Sequence, residues 1–138
     1  MKFVVSACLL GENCKYNGGN NRCQRVIDFI KDHEAVPVCP EMMAGLPTPR
    51  LSAEICHGLV VNSDGESVDA AFRKGAELAT RLALEEGAQV AILQPRSPSC
   101  SCKQVYDGTF SQHLIPGKGV FAQMLEDHHI KVLDPDDL

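Results

Sequence analysis

The sequence predicts one α/β domain over residues 1–138, with a mainly parallel sheet and helices on both of its faces. Three observations predict it. Short apolar runs alternate with segments of helical period along the chain, as in folds whose parallel strands are joined by crossover helices. The runs at 2–10, 35–38 and 90–93 are each followed within two residues by a glycine or proline, with no internal repeat and no linker between them. A chain of 138 residues, 44% hydrophobic and 22% charged, supports one core and carries no disordered or low-complexity tract.

Each element follows from its local pattern. Residues 2–10 (KFVVSACLL) read as a buried first strand ended by Gly11, with Cys8 at its C-terminal end. The turn formers Gly18, Gly19, Asn20 and Asn21 mark a loop. Cys23, Val26, Ile27 and Ile30 then recur at helical spacing, leaving Arg25, Asp28 and Lys31 to face water. A second strand at 35–38 stops at Cys39-Pro40, because proline cannot continue a central ladder. Residues 41–53 hold Gly45, Pro47 and Pro49 and read as a long irregular loop of the kind that carries function. One short strand is expected over 55–62, a turn at 63–66 and an N-cap at Ser67. The clearest helix carries Val68, Ala71, Phe72, Ala76, Ala79, Leu82 and Ala83 on one face, and Gly87 is placed to close it. A strand at 90–93 runs into Pro95 and Pro98, and Tyr106-Asp107-Gly108-Thr109 reads as a turn. Gly117-Lys118-Gly119 opens a last helix with Val120, Phe121, Met124 and Leu125 inward, before a strand at 130–133. The alternation predicts a Rossmann-like three-layer architecture.

Thirteen Lys+Arg against eighteen Asp+Glu give a net charge of -5, which argues against broad nucleic-acid binding and favours a small-molecule ligand. No apolar stretch is long enough to span a membrane, and the opening residues do not read as a signal peptide, so the expected compartment is the cytoplasm. Seven cysteines in a reducing compartment do not form a disulfide framework, and no Cys-x-x-Cys pair suggests a zinc ribbon or a thioredoxin-like site.

Cys8 lies at the C-terminal end of a predicted strand, and Cys39 and Cys100 each follow one. In open parallel sheets the ligand site lies beyond the carboxyl ends of the strands. Taken singly, each cysteine reads as a small buried hydrophobe. Taken together, three thiolates from three loops suit an iron–sulfur cluster or a zinc ion with one coordination position open.

The residues then carry a resemblance. Cys8-Leu9-Leu10-Gly11 with Lys15-Tyr16-Asn17-Gly18, Pro37-Val38-Cys39-Pro40-Glu41, Gly45-Leu46-Pro47-Thr48-Pro49-Arg50 and Ala53-Glu54 are similar to motifs of the TudS-type thiouracil desulfurase family. Ser97-Pro98-Ser99-Cys100, Tyr106-Asp107-Gly108-Thr109-Phe110-Ser111 and Gly117-Lys118-Gly119-Val120 extend the likeness over essentially the whole chain. The resemblance implies a [4Fe–4S] cluster held by Cys8, Cys39 and Cys100, with the fourth iron open to the sulfur of a thiolated pyrimidine such as 4-thiouracil or its nucleotide. It implies a non-redox desulfuration in which water replaces sulfide. Glu41 and a serine of the Ser97/Ser99 pair are the residues for proton handling, and spacing does not choose between the serines.

Gly117, Lys118 and Gly119 ahead of a helix, and Arg50 directly after the loop prolines Pro47 and Pro49, are candidate substrate or anion contacts, with plain turn chemistry as the alternative. Two departures from the family pattern bear on substrate choice: Gln94 stands where a lysine is common and Ser101 where a glycine is. Cys14 and Cys102 read as spare ligands, sulfur acceptors or surface thiols. Two other readings share the same residues. One is a metal- or redox-sensing cysteine protein without catalysis; the other is a small nucleotide-binding module with buried cysteines.

Overall fold

The structure is a computed structural model describing residues 1–138. Strand β1 (Lys2–Ser6) runs into one 3-10 turn, Ala7–Leu10, and a loop leads to α1 (Gln24–Ile30) and β2 (Glu34–Val38). A single helical turn, α2 (Pro40–Met43), precedes a hairpin of β3 (Ala53–Cys56) and β4 (Leu59–Asn62). The long helix α3 (Asp69–Glu85) leads to β5 (Val90–Ile92). A second hairpin, β6 (Gln104–Tyr106) and β7 (Leu114–Pro116), is followed by α4 (Val120–Asp127) and β8 (Lys131–Leu133).

The main sheet is parallel throughout, in the order β2-β1-β5-β8. The chain steps from β1 to β2 in one direction and then crosses back over β1 to β5 and β8. Right-handed crossovers therefore put α1 on one face and α3 with α4 on the other. Alternation along the strands serves both layers. Val4, Ala91 and Val132 pack with Phe72, Ala76, Ala79, Phe121 and Leu125, while Phe3, Val5 and Ile92 turn to Val26 under α1. The direction of strand addition reverses between β1 and β5, which opens a crevice at their carboxyl ends.

Five local expectations are corrected. The first strand, expected over 2–10, ends at Ser6, and Ala7–Leu10 form a 3-10 turn closed by Gly11 at φ +96°, so Cys8 lies in the turn that follows β1. The single strand over 55–62 is a hairpin, because His57 and Gly58 take positive φ of 50° and 80° and reverse the chain between β3 and β4. The irregular segment after Cys39 opens with α2, in which Pro40 is the first helical residue, where its missing N–H costs nothing. Val68, not Ser67, is the N-cap of α3, while Ser67 bridges to Val61 beside β4. Of the turn expected at 106–109, Tyr106 is the last residue of β6 and the rest opens the connection of a hairpin, both of whose strands, β6 and β7, the sequence pattern leaves unread. Gly87 has φ +71° just past α3, as its position predicts. No helix is long and apolar enough to cross a membrane.

Candidate functional site

A cleft of about 720 Å³ lies over the carboxyl ends of β1, β2 and β5, and Cys8, Cys39 and Cys100 all line it. Each is placed by a different device. Cys8 sits in the 3-10 turn after β1, and its carbonyl accepts the N–H groups of Gly11 at 3.2 Å and Asn21 at 3.0 Å. Cys39 is the N-cap of α2, set directly after β2. Cys100 lies in the loop after β5, where the Ser97 hydroxyl oxygen accepts the N–H groups of both Ser99 and Cys100 at 3.1 Å. That loop is pinned to α4, because the Val120, Phe121 and Ala122 amides donate to the carbonyls of Pro98 and Ser99.

Cys14 joins the same group. It is 4% exposed and lines the cleft. Its thiol donates toward Cys8 and Cys39, which lowers both to about 7, below the ordinary thiol value, and leaves Cys14 itself strongly raised. The Met42 amide and the Arg50 guanidinium lower Cys39 further. Burial pushes the Cys100 thiol up, against the favourable hydroxyl of Ser6 beside it. The surface-thiol reading of Cys14 is therefore corrected. Its signal was the six-residue spacing from Cys8 around the turn at Gly11, which folds the loop back over the site.

Glu41, the second residue of α2, is fixed at both carboxylate oxygens. Arg50 Nε donates to Oε1 at 3.2 Å, and the Ser99 hydroxyl donates to Oε2 at 3.3 Å. Arg50 is 8% exposed along its side chain and also donates to the carbonyl of Cys14 at 3.0 Å, the Thr48 hydroxyl at 2.9 Å and the carbonyl of Pro47 at 3.2 Å. It ties the cysteine loop, the proline loop and Glu41 together. The two serines differ in place: Ser97 lines the cleft, whereas Ser99 is 1% exposed behind Glu41.

The glycine–lysine segment is not brought to this site. Gly117, Lys118 and Gly119 border a separate depression beside Arg73 and Asp127, and Lys118 is ion-paired with Glu126. The amides that open α4 already donate to the carbonyls of Pro98, Ser99 and Ser101. A Cβ on Gly119 would lie 2.4 Å from the Ser99 carbonyl oxygen. The phosphate-cradle expectation is corrected on these grounds: the helix end is filled by the chain's own backbone. Of the two departures, Gln94 lines the cleft, while Ser101 is buried with its hydroxyl on the Gln104 carbonyl. Cys102 lies apart, with its sulfur beside the carboxylates of Asp134 and Asp137.

Glu54 went unassigned in the sequence. Its Oε1 accepts the N–H groups of Gly108 and Phe110, both at 3.1 Å, and so docks the tip of the β6–β7 hairpin against β3 at the mouth of the cleft. No local pattern signals a pairing across more than fifty residues.

Four thiols in a cleft that no imidazole lines form a soft donor set, suited to an iron–sulfur cluster or zinc, and two of them lie near their ionisation point at neutral pH. Comparison with known proteins agrees with that chemistry. A protein of Bacillus subtilis (strain 168) described as the uncharacterized protein YbbK is 34% identical over 146 residues, covering 99% of this chain and 97% of that protein. A solved structure described as the [4Fe-4S]-dependent thiouracil desulfidase TudS matches with a TM-score of 0.94 and 39% identity, over 99% of this chain and 92% of that one. The pattern of the 2-thiouracil desulfurase family matches residues 3–137, and the chain belongs to that family.

Proposed function

We propose that this chain, acting as one domain over residues 1–138, is a [4Fe–4S]-dependent desulfidase that replaces the sulfur of a thiolated pyrimidine, 4-thiouracil or its nucleotide, with oxygen from water. The observation that carries this reading is the meeting of Cys8, Cys39 and Cys100 in one cleft beside a carboxylate held at both oxygens. Membership of the family and the likeness to TudS support it. Cys8, Cys39 and Cys100 hold the cluster in this reading. When bound with three cysteine ligands, such a cluster supplies a thiophilic Lewis-acidic iron with an open position for a C=S sulfur.

The protein's own groups do the rest. Arg50 and Ser99 each engage one oxygen of Glu41 and prevent the carboxylate from rotating. Each oxygen keeps a further lone pair, so Glu41 can orient a water and take its proton as it adds to the thiocarbonyl carbon. That proton then passes to the departing sulfur, and the hydroxyl left on the carbon gives up its own as the C=O bond forms, so both water protons leave with the sulfur as hydrogen sulfide and no electron is gained or lost. Ser97 accepts two backbone amides through its oxygen, which leaves its own proton free to donate into the cleft. Ser97 therefore contacts substrate, and Ser99 acts through Glu41 as a positioning residue.

The test is iron content and sulfide release in protein reconstituted without oxygen. About four irons per chain and sulfide release from 4-thiouracil are expected. Cys39→Ser loses iron, whereas Glu41→Gln retains iron and loses turnover by about 10²- to 10⁴-fold. Iron-loaded wild type that releases no sulfide, or Glu41→Gln at the full rate, refutes the reading.

A further inference from the structure

Both tyrosines of the chain, Tyr16 and Tyr106, line the cysteine cleft together with Phe110. The other phenylalanines serve the fold. Phe3, Phe72 and Phe121 are buried in the two cores, and Phe29 rests edge-on against Phe3 with centroids 5.5 Å apart. Outside the cleft only Phe29, 39% exposed on α1, keeps a comparable aromatic surface, and its ring is engaged by Phe3 and His33.

Phe110 stands out within it. It is 36% exposed at the cleft, and its backbone has φ +56°, a region that an aromatic residue seldom occupies. The surrounding turn enforces that conformation. Glu54 accepts the N–H of Phe110 and of Gly108 through one oxygen. Gly108, at φ +90°, approaches so near to β3 that a Cβ would lie 2.7 Å from the Ile55 carbonyl oxygen. Asp107 accepts the N–H and hydroxyl of Thr109 at 3.0 and 2.6 Å. A left-handed backbone and a ring left part-exposed both cost stability, and Phe110 makes no aromatic pair within the chain. Such strain persists where the surroundings over-determine it, typically at a ligand site.

The geometry points to Phe110 as the platform on which the flat face of the pyrimidine ring stacks, with Glu54 as the positioning residue that holds it there. The inference rests on the desulfidase reading for the identity of the ring. Its chemistry suits that substrate: a neutral pyrimidine base carries no charge for an ion pair, so face contact with an aromatic ring must supply much of its affinity. Stacking also ignores the exocyclic atom. Substrate and product, which differ only in sulfur against oxygen, then share the contact.

The chain contains no tryptophan, so Phe110→Trp introduces a single reporter. Titration of this variant with uracil gives saturable quenching. Dihydrouracil, which has similar polar groups but no aromatic face, gives at least about tenfold weaker binding. In cluster-loaded enzyme, Phe110→Ala and Phe110→Leu raise KM for 4-thiouracil about tenfold or more with kcat nearly unchanged, and Phe110→Tyr restores it. Glu54→Leu reproduces the KM increase, Glu54→Gln preserves the contact, and Phe110→Ala combined with Glu54→Leu is no worse than either alone. Unchanged KM in Phe110→Leu, or equal binding of uracil and dihydrouracil, overturns the inference. The two readings fail separately. Absence of sulfide release by loaded wild type counts against the desulfidase, while the uracil titration still decides the stacking contact.

Discussion

Gly75 lies inside α3 where that helix crosses α2, and replacing it with alanine sets two physical effects against each other. Alanine is the better helix former by about 1 kcal/mol, so an isolated helix would gain. In the folded protein the new Cβ would lie 1.9 Å from the Pro40 carbonyl oxygen, 2.8 Å from its carbon and 3.0 Å from the Ala44 Cβ. Real contacts to a Cβ do not fall below 3.0 Å, so α2 must retreat by about 1 Å, and overpacking of this kind costs about 1–3 kcal/mol. The clash outweighs the propensity because its partner is backbone and cannot rotate away. Net destabilisation of up to about 2 kcal/mol is expected. The displaced turn carries Cys39 at its cap and Glu41 in its first turn, so the site moves with it. A shift of about 1 Å at a reacting group lowers turnover by about 100-fold. Urea unfolding of Gly75→Ala, with turnover and iron content of the reconstituted protein, reads both effects. A variant more stable by about 1 kcal/mol with full turnover refutes the argument.

Three further outcomes are expected. Arg50→Ala releases Glu41 and strips a donor from the Cys14, Pro47 and Thr48 oxygens; stability falls by about 2–3 kcal/mol and kcat falls with iron retained, as unfolding curves and iron assays will read. Ser99→Ala lowers kcat by freeing one oxygen of Glu41, while Ser97→Ala costs about 1 kcal/mol of stability through the two amides it accepts and raises KM; steady-state kinetics of the two variants separate the roles. For Asp69, burial pushes the carboxyl up, but the Arg73 side chain at 2.8 Å and the Val60 N–H at 3.0 Å outweigh it and hold the value below the ordinary one. A depressed carboxyl stabilises the fold above its unfolded value, about 3.9, and loses that contribution as pH falls through the folded value. The stability difference between wild type and Asp69→Asn is therefore constant from pH 6 to 8 and shrinks below about pH 4, which acid-titrated thermal unfolding will show.

What the sequence made legible depended on how local the information was. Helix α3 is plain because Phe72, Ala76, Ala79 and Ala83 repeat at helical spacing and are all buried. The three ligand candidates are plain because each follows a strand, and parallel topology sends all strand ends to one side. The β3–β4 hairpin is hidden because its turn puts His57 in a left-handed conformation, with no Asn-Gly or Asp-Gly to announce it. The four residues of α2 are too few to show a period. The burial of Cys14, the clasp of Arg50 on four acceptors and the grip of Glu54 on the distant hairpin are tertiary facts. Each joins segments whose own patterns are complete without the other.

The order of the strands has a consequence for how the site comes into being. Cys8, Cys39 and Cys100 sit at the ends of three strands that lie side by side, β2-β1-β5, yet dozens of residues separate each from the next along the chain. No single loop can gather them early. They meet only once both long crossovers have closed, among the slowest events in the folding of such a topology. A metal that drives folding, as in a zinc finger, works on ligands a few residues apart. If Cys8, Cys39 and Cys100 hold the cluster as proposed, the polypeptide must finish its sheet before they can do so together, and iron and sulfide would meet a folded receptacle.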